Sequence, residues 1–482
     1  MTDKNLKIAF AGRRWYGVVG SGLYENIKKK YCPNLEAWFI TSNDKESDKV
    51  YELLGHDDSN VHMWEVSSYF KAHWDEFTME SLKKYEEKYE CAPVWRYIYT
   101  DRYLINRDHD YCVHIAAGLF QFFEELYANN NIDFYYDEAI STLHTYVAYI
   151  VGNHYGVKYI SQMLARGAGV DREYHYYIDE PYQRDIELPE NYLDLEYTEE
   201  ELTKANDYLT EFEEKNMQPA CMDRAVRDRP RLRWRMFKAP VLYFYLKFNK
   251  YNNDPYFYIF YHHEKDAWDE IRNYRNYKKT KDYAVAPDYS QKFVYFPLHF
   301  QPEASTLVCA PKYEKQLTFI DACAKSLPAD TKLYIKEHPN MLGARAIGFY
   351  EELKSMPNVV LVDPWENSKE LIKHCEAVMT LTGTVGFEAM LLRKPVFLFG
   401  NIIYETAPGV VKVDEMFENY LPLINEWKQP KRDDVVKYLA AYFRTLHPGN
   451  VNFFNTGSVF EGDNIEKLAD SLWEVALSKK IR

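Results

Sequence analysis

The sequence predicts an α/β protein of two Rossmann-like domains facing each other across a cleft, with a helical insertion between them. Three observations predict it. Near the amino terminus, short apolar runs alternate with helical stretches, the pattern of a parallel sheet with crossover helices. From Phe293 to Gly400 the alternation returns, and three of its apolar runs stop abruptly in polar residues. Between the two lies a stretch of different character, first acidic and helical, then basic and aromatic. The expected divisions are residues 1–180 for the first domain, 181–282 for the insertion or linker, 283–460 for the second domain, and 461–482 for a terminal helix that can cross back to the first.

Composition sets outer bounds. A chain of 482 residues exceeds one ordinary core, and 46% hydrophobic residues can fill two. The net charge of −14 argues against nonspecific nucleic-acid binding, which depends on neutralising phosphates with Lys and Arg. Aromatic residues reach 17%, led by 43 tyrosines, most of them packing material. The seven cysteines show no CxxC or other metal spacing, and their number is odd, as expected of a reduced, cytoplasmic protein. MTDKNLKIAFAG enters a strand without a signal peptide, and no apolar run reaches the length of a membrane span. Any membrane contact is therefore expected to be peripheral, on the inner face.

The first domain opens with the strand KIAFAG, followed by Arg13 to Gly22 as a glycine-rich loop facing the cleft and a helix from about Leu23 to Lys30. The glycine spacing is neither a dinucleotide fingerprint nor a Walker loop. AWFIT (37–41) is the next strand, a helix spans Tyr111 to Asn129, and the strand DFYYD ends at Asp137. Glu138 follows at the strand end, where a carboxylate can act as general base toward a hydroxyl. The alternative is that Asp137 or Ser141 merely caps the next helix. VKYI and a loop from Gln162 to Gly169 close the domain; Arg166 in that loop meets either a substrate carboxylate or a surface acid.

In the insertion, TEEELTKANDYLTEFEEKN reads as an acidic amphipathic helix. Arg224, Arg227, Arg229, Arg231, Arg233, Arg235 and Lys238 follow as a basic stretch. These charges either pair with the acidic helix or contact an anionic membrane surface or acceptor.

Three strand ends in the second domain converge on one crevice, since ligands bind beyond the carboxyl ends of parallel strands. FVYFPLHFQPEAST spans 293–306. KLYIKEHPN spans 332–340, where Pro339 holds His338 extended, ready to donate to a phosphate oxygen, with Lys336 as a point charge. A strand-end histidine bonded to backbone is the plainer reading of one His-Pro pair, and His447-Pro448 reads as such a turn. AVMTLTGTVGFEAMLL at 377–392 is strand, tight loop and helix, and Thr382-Gly383-Thr384 offers hydroxyls, N–H groups and a helix N-terminus to a phosphate. Glu388, one turn on, can accept from ribose hydroxyls. Tyr404 and Glu405 either reach the donor or belong to a returning loop.

PLHFQPEAST, KEHP and LTGTVGFEAMLLRKPVFLFG together resemble the capsule polysaccharide biosynthesis protein family, over roughly residues 290–405, whose better-known members are Kdo-type glycosyltransferases of GT-B fold using CMP-activated donors. The resemblance implies that His338 with Lys336, and Thr382, Gly383 and Thr384, hold the donor phosphate. It also sets Gln301, Glu303 and Ser305 where some relatives carry a glutamine, an acidic residue and a serine, leaving Glu303 as rival to Glu138 for the catalytic carboxylate.

The function expected is transfer of a sugar, in first place a CMP-linked ulosonic acid such as Kdo, to a bacterial surface polysaccharide or its lipid carrier. No metal is expected, because His338, Lys336 and the 382–384 loop can neutralise the leaving phosphate and no DxD carboxylate pair is placed to bind a divalent ion. Polyol-phosphate transfer of the teichoic-acid type, a nucleotide-sugar 2-epimerase and a non-catalytic scaffold of a capsule assembly complex are the alternatives.

Overall fold

The computed structural model describes residues 5–56, 58–105, 107–217, 263–416, 418–452 and 459–477, with Pro230, Phe237 and Val241 as isolated positions. Two sheets organise it. The first contains β1 (Lys7–Ala11), β2 (Glu36–Thr41), β3 (Val61–Glu65), β4 (Phe134–Tyr136), β5 (Lys158–Leu164) and β6 (Tyr174–Ile178). The second contains β7 (Lys292–Pro297), β8 (Thr331–Lys336), β9 (Val359–Val362), β10 (Ala377–Thr380), β11 (Val396–Leu398) and β12 (Val410–Lys412). A two-residue strand, β13 (His447–Pro448), belongs to the first sheet.

The first sheet runs β13-β6-β5-β4-β1-β2-β3 and the second β12-β11-β10-β7-β8-β9. All pairings are parallel except β5 with β6 and β6 with β13. In each sheet the order reverses beside the first strand of its unit, at β1/β4 and at β7/β10. Helices cover both faces, which is why the central strands read as unbroken apolar runs. In β1, Ile8 and Phe10 pack with Val19 and Leu23 on one side, while Ala9 faces Phe120 and Phe123 on the other.

The glycine-rich segment after β1 is not a loop. A helix spans Arg14–Lys30, so the expected start near Leu23 is nine residues late. Glycine lowers helix propensity, but here it serves contact: a Cβ on Gly17 would lie 2.6 Å from the Gly12 carbonyl oxygen, so the helix approaches its own strand only with glycine there.

The chain returns to the first sheet before the expected boundary at 461. His447 and Pro448 are not a turn; they pair with His175 and Tyr174 of β6, and His447 Nε2 lies 2.7 Å from Glu187. The helix Asn464–Leu472 then lies along Arg14–Lys30. Leu468 and Leu472 are fully buried in the first domain's core, and Lys30 pairs with Glu466 at 2.5 Å and Asp470 at 2.8 Å.

The acidic helix, Glu199–Glu214, begins with a capping box of Thr198 and Glu201 and buries Ala205, Leu209 and Phe212 against the second domain. Its described cationic partners are not the basic stretch. Glu213 accepts from Arg432 at 2.5 Å, Glu201 accepts from Arg444 at 2.5 Å, and Lys369 donates to the carbonyls of Phe212, Glu213 and Lys215 at the helix end. A cation there complements the helix dipole. Arg224 to Arg229, Arg231 to Arg235 and Lys238 lie outside the described residues.

One hydrophobic cluster spans the two domains. Tyr176 and Ile178 of β6 pack with Phe387, Tyr404 and Tyr442. Arg184 bridges the same seam to Glu405. Among the described residues no helix is long and apolar enough to cross a membrane.

Because Leu472 is fully buried against the first domain, Leu472→Ala is expected to lower the unfolding free energy of the full chain by about 2–5 kcal/mol, from lost burial and the residual cavity. Urea denaturation followed by far-UV circular dichroism checks this. A loss below about 1 kcal/mol would mean that the returning helix is not part of that core.

Candidate active site

Strand order alone marks two candidate crevices, because ligands of open α/β sheets bind where the order reverses. In the second domain that point is flanked by the segment after β7, His299 to Ser305, and the loop after β10, Thr382 to Thr384, with the end of β8 adjacent. In the first it is flanked by Arg13 after β1 and Asp137 and Glu138 after β4.

The loop after β10 turns at Gly383, an extended N-cap, into the helix Thr384–Leu391. The Thr384 and Val385 N–H groups have no partner among the described residues, as first-turn donors do when they await a ligand. Thr384 is the half-buried member of the pair. The Thr382 hydroxyl is buried and donates to the Ser305 carbonyl at 2.8 Å. Its expected phosphate contact is therefore replaced by a strut between two strand-end loops.

His299 is the residue that sequence reasoning missed. Its Nε2 accepts from the Thr382 N–H at 3.2 Å and lies 3.2 Å from the Thr380 hydroxyl, so it fixes the loop that turns into the helix. Burial drives its pKa down to about 3, which keeps the ring neutral. The available signal was position: a histidine two residues beyond the first strand of a Rossmann unit.

His338 Nδ1 accepts from the Asn340 N–H at 3.2 Å, leaving Nε2–H as the donor. Burial lowers its pKa, so it is a neutral hydrogen-bond donor. Lys336 is not the free point charge expected beside it. Its ammonium donates to the Glu366 carbonyl at 2.6 Å and the Ser368 hydroxyl at 2.7 Å, and burial pulls its pKa down to about 8. Glu388 faces Lys336 and Lys369 electrostatically, and burial nevertheless pushes its carboxyl up to about 7. It has no hydrogen-bond partner among the described residues, as an acceptor awaiting hydroxyls would not.

A buried ion pair ties these ends together. Glu337 accepts from Arg345 Nε at 2.8 Å, from the Tyr350 hydroxyl at 2.7 Å and from the His338 N–H at 2.7 Å. Arg345 in turn donates to the His299 carbonyl at 2.6 Å and to Gln301 Oε1 at 3.3 Å. Gln301 also donates to the Glu314 carbonyl, so its amide is used in the scaffold and is not a donor-binding group. Ser305 donates to Glu303 at 2.7 Å, and Glu303 is exposed at the N-cap of the short helix Ala304–Leu307.

On the opposite wall one guanidinium holds two carboxylates. Arg13 Nη2 lies 2.7 Å from Asp137 and 3.1 Å from Glu138. Asp137 is fully buried and accepts from the Tyr135 hydroxyl; burial raises its pKa despite Arg13. Glu138 is part-exposed, and its carbonyl accepts from Tyr159. Neither Asp137 nor Ser141 caps the following helix: Thr142 does so with Thr145, and the Leu143 N–H donates to Asp101 at 2.9 Å. Ala139, next to Glu138, packs on the cluster containing Phe387 of the helix Thr384–Leu391, which brings the carboxylate wall to the seam.

Tyr404 and Glu405 are structural. The Tyr404 hydroxyl donates to the Gly383 carbonyl at 2.5 Å, and Glu405 pairs with Arg184 and Lys412.

The profile of the family described as capsule polysaccharide biosynthesis protein matches residues 235–446. The match spans less than half of the chain. The match covers all three strand ends of the second domain and the Arg345 that ties them. Two curated relatives, the capsule polysaccharide modification protein LipA of Neisseria meningitidis serogroup A and that of serogroup B, are each 27% identical over 146 residues. That alignment covers 30% of this chain and only 20% of each relative's length. Among solved structures, the Thermosulfurimonas dismutans KpsC beta Kdo 2,4 transferase aligns at a TM-score of 0.38 with 14% identity, covering 71% of this chain and 88% of that one. The Methanocaldococcus jannaschii UDP-GlcNAc 2-epimerase aligns at 0.26 with 12% identity, covering 91% and 99%. Likenesses at these scores bear on neither substrate nor reaction.

Two outcomes test the electrostatic frame. Arg345→Ala leaves Glu337 buried without its cation, and the expected loss is about 3–5 kcal/mol of unfolding free energy by chemical denaturation, against under about 1 kcal/mol for an exposed pair. Glu388 tests the sign of a titration. Its folded pKa of about 7 exceeds the ordinary 4.5, so between those values the folded state holds more protons, and its contribution falls as pH rises. Glu388→Gln should therefore gain in unfolding midpoint relative to wild type as pH goes from about 5 to about 7.5. A difference independent of pH rules out the raised carboxyl.

Proposed function

We propose that the protein is a glycosyltransferase of capsule polysaccharide synthesis that carries a sugar from a nucleotide-activated donor to a glycan hydroxyl. The observation that carries this reading is the pairing of two switch points: neutral donors on one wall, and carboxylates on the other. The match of residues 235–446 to the capsule family supports the same direction.

In this reading the donor phosphate lies against the Thr384 and Val385 N–H groups, the Thr384 hydroxyl and His338 Nε2–H. These donors are fixed before the reaction by His299, the Glu337–Arg345 pair and Tyr404. Charge develops on the phosphate as the glycosidic bond breaks, and preorganised donors stabilise it more than they stabilise the ground state. Glu388 accepts from the ribose hydroxyls. Glu138 takes the proton of the attacking acceptor hydroxyl, held by Arg13; Glu303, on the donor side, contacts the sugar being transferred. The finer donor we propose is CMP linked to an ulosonic acid such as Kdo, and the acceptor a lipid-linked glycan at the inner face of the cytoplasmic membrane.

His338→Ala is expected to lower transfer by about a hundred- to a thousandfold while the fold is kept. Glu138→Gln should slow transfer strongly with nucleotide affinity unchanged, and Thr384→Val should weaken nucleotide binding itself. Transfer assays with calorimetry on CMP, CDP and UDP separate these effects. Preference for CDP points to polyol-phosphate transfer, and silence toward every nucleotide sinks the enzymatic reading.

A further inference from the structure

Arg166 sits in the loop after β5, on the first domain's side of the seam. The Tyr442 hydroxyl fixes its backbone, accepting from its N–H at 2.5 Å and donating to its carbonyl at 3.1 Å. Its Nη2 donates to Gln183 Oε1 at 3.2 Å, and Gln183 adopts φ 57°, a left-handed conformation that a glutamine holds only when its surroundings impose it. The Nε–H is fully buried and has no hydrogen-bond partner. No carboxylate lies within ion-pair distance of this guanidinium among the described residues. The guanidinium also meets the Tyr176 hydroxyl in a hydrogen bond, and the Tyr404 hydroxyl and the exposed Glu303 lie within its electrostatic range.

Two of those neighbours belong to the candidate donor crevice. Tyr404 supports the Gly383 carbonyl, and Glu303 borders the His338 side. The next residue, Gly167, holds φ 114°, and a Cβ there would lie 2.6 Å from the Tyr208 hydroxyl and 3.2 Å from the Phe387 ring, on the helix that starts at the phosphate loop, so glycine suits the close approach of the two domains there. A cation is thus held rigidly at the domain seam, beside the crevice, with a buried donor unused. Burying a charge without a counter-charge is unfavourable, and a guanidinium fork is matched to planar or tetrahedral oxyanions.

We propose that Arg166 receives an anionic oxygen group of the bound donor, a sugar carboxylate or the phosphate itself, across the domain seam. This rests on the glycosyltransferase reading and narrows it to a donor that presents an oxyanion toward the first domain. Neutral sugars leave Arg166 unpaired unless the phosphate reaches it.

The test uses the full chain as wild type, Arg166→Met and Arg166→Lys, with CMP, CMP-N-acetylneuraminate as a carboxylate-bearing donor, and orthophosphate as probes. Without ligand, Arg166→Met should unfold at or above the wild-type temperature, because an unpaired cation has been removed. If it unfolds well below, Arg166→Lys, which keeps the charge but not the fork, carries the binding measurements. Calorimetry is expected to show a loss of about tenfold or more in affinity for CMP-N-acetylneuraminate. Unchanged CMP affinity then assigns the carboxylate, and an equal loss with CMP assigns the phosphate. Should wild type bind neither nucleotide, the glycosyltransferase reading fails, while thermal stabilisation by orthophosphate in wild type and not in the variants still supports an oxyanion site at Arg166. Responses to all three probes within twofold of wild type overturn the proposal.

Discussion

The buried Glu337–Arg345 pair is the interaction on which the second domain's crevice depends. Glu337 receives three donors and Arg345 reaches two carbonyl or amide oxygens, so one ion pair joins the end of β8 to the segment after β7. Buried pairs of this kind contribute little net stability compared with apolar packing, but removing one partner strands a charge. Their use here is geometric. They fix where His299 and His338 stand, and His299 in turn fixes the Thr382 N–H and the start of the following helix.

The two walls are built on opposite electrostatic plans. On the second domain, burial keeps His299 and His338 neutral and ties Lys336 to a carbonyl and a hydroxyl, so the crevice presents dipoles and N–H groups more than free charge. On the first domain, Arg13 holds a buried and a part-exposed carboxylate together. Asp137 has its oxygens satisfied by Arg13, Tyr135 and the Glu138 N–H, which leaves Glu138 as the member open to the cleft. The seam between the walls is apolar and aromatic, built from Tyr176, Phe387, Tyr404 and Tyr442.

Strand-end positions were legible because they depend on local pattern: an apolar run, a polar stop, and a proline or glycine. The positions of His338, of the 382–384 loop and of Asp137 and Glu138 all follow from that. The direction in which a strand-end side chain points was not legible, because its partner lies far along the chain. Arg13 meets Asp137 across 124 positions, and Gln301 meets Arg345 across 44. Thr382 and Lys336 looked like phosphate ligands for the same reason, since the Ser305 carbonyl and the Ser368 hydroxyl that occupy them come from other loops. The helix starting at Arg14 was hidden by glycines whose role is close packing against β1. The acidic helix signalled its amphipathicity but not its partners, Arg432 and Arg444, more than 200 residues away.

A crystal structure of the full chain with CMP tests most directly whether the second domain's switch point holds the phosphate of a nucleotide. The expected result is phosphate oxygens within hydrogen-bond distance of the Thr384 N–H and His338 Nε2, with the ribose against Glu388 and the Thr382 hydroxyl still bonded to Ser305. A nucleotide bound with its phosphate away from both His338 and Thr384, or placed at the first domain's switch point beside Arg13, would contradict it.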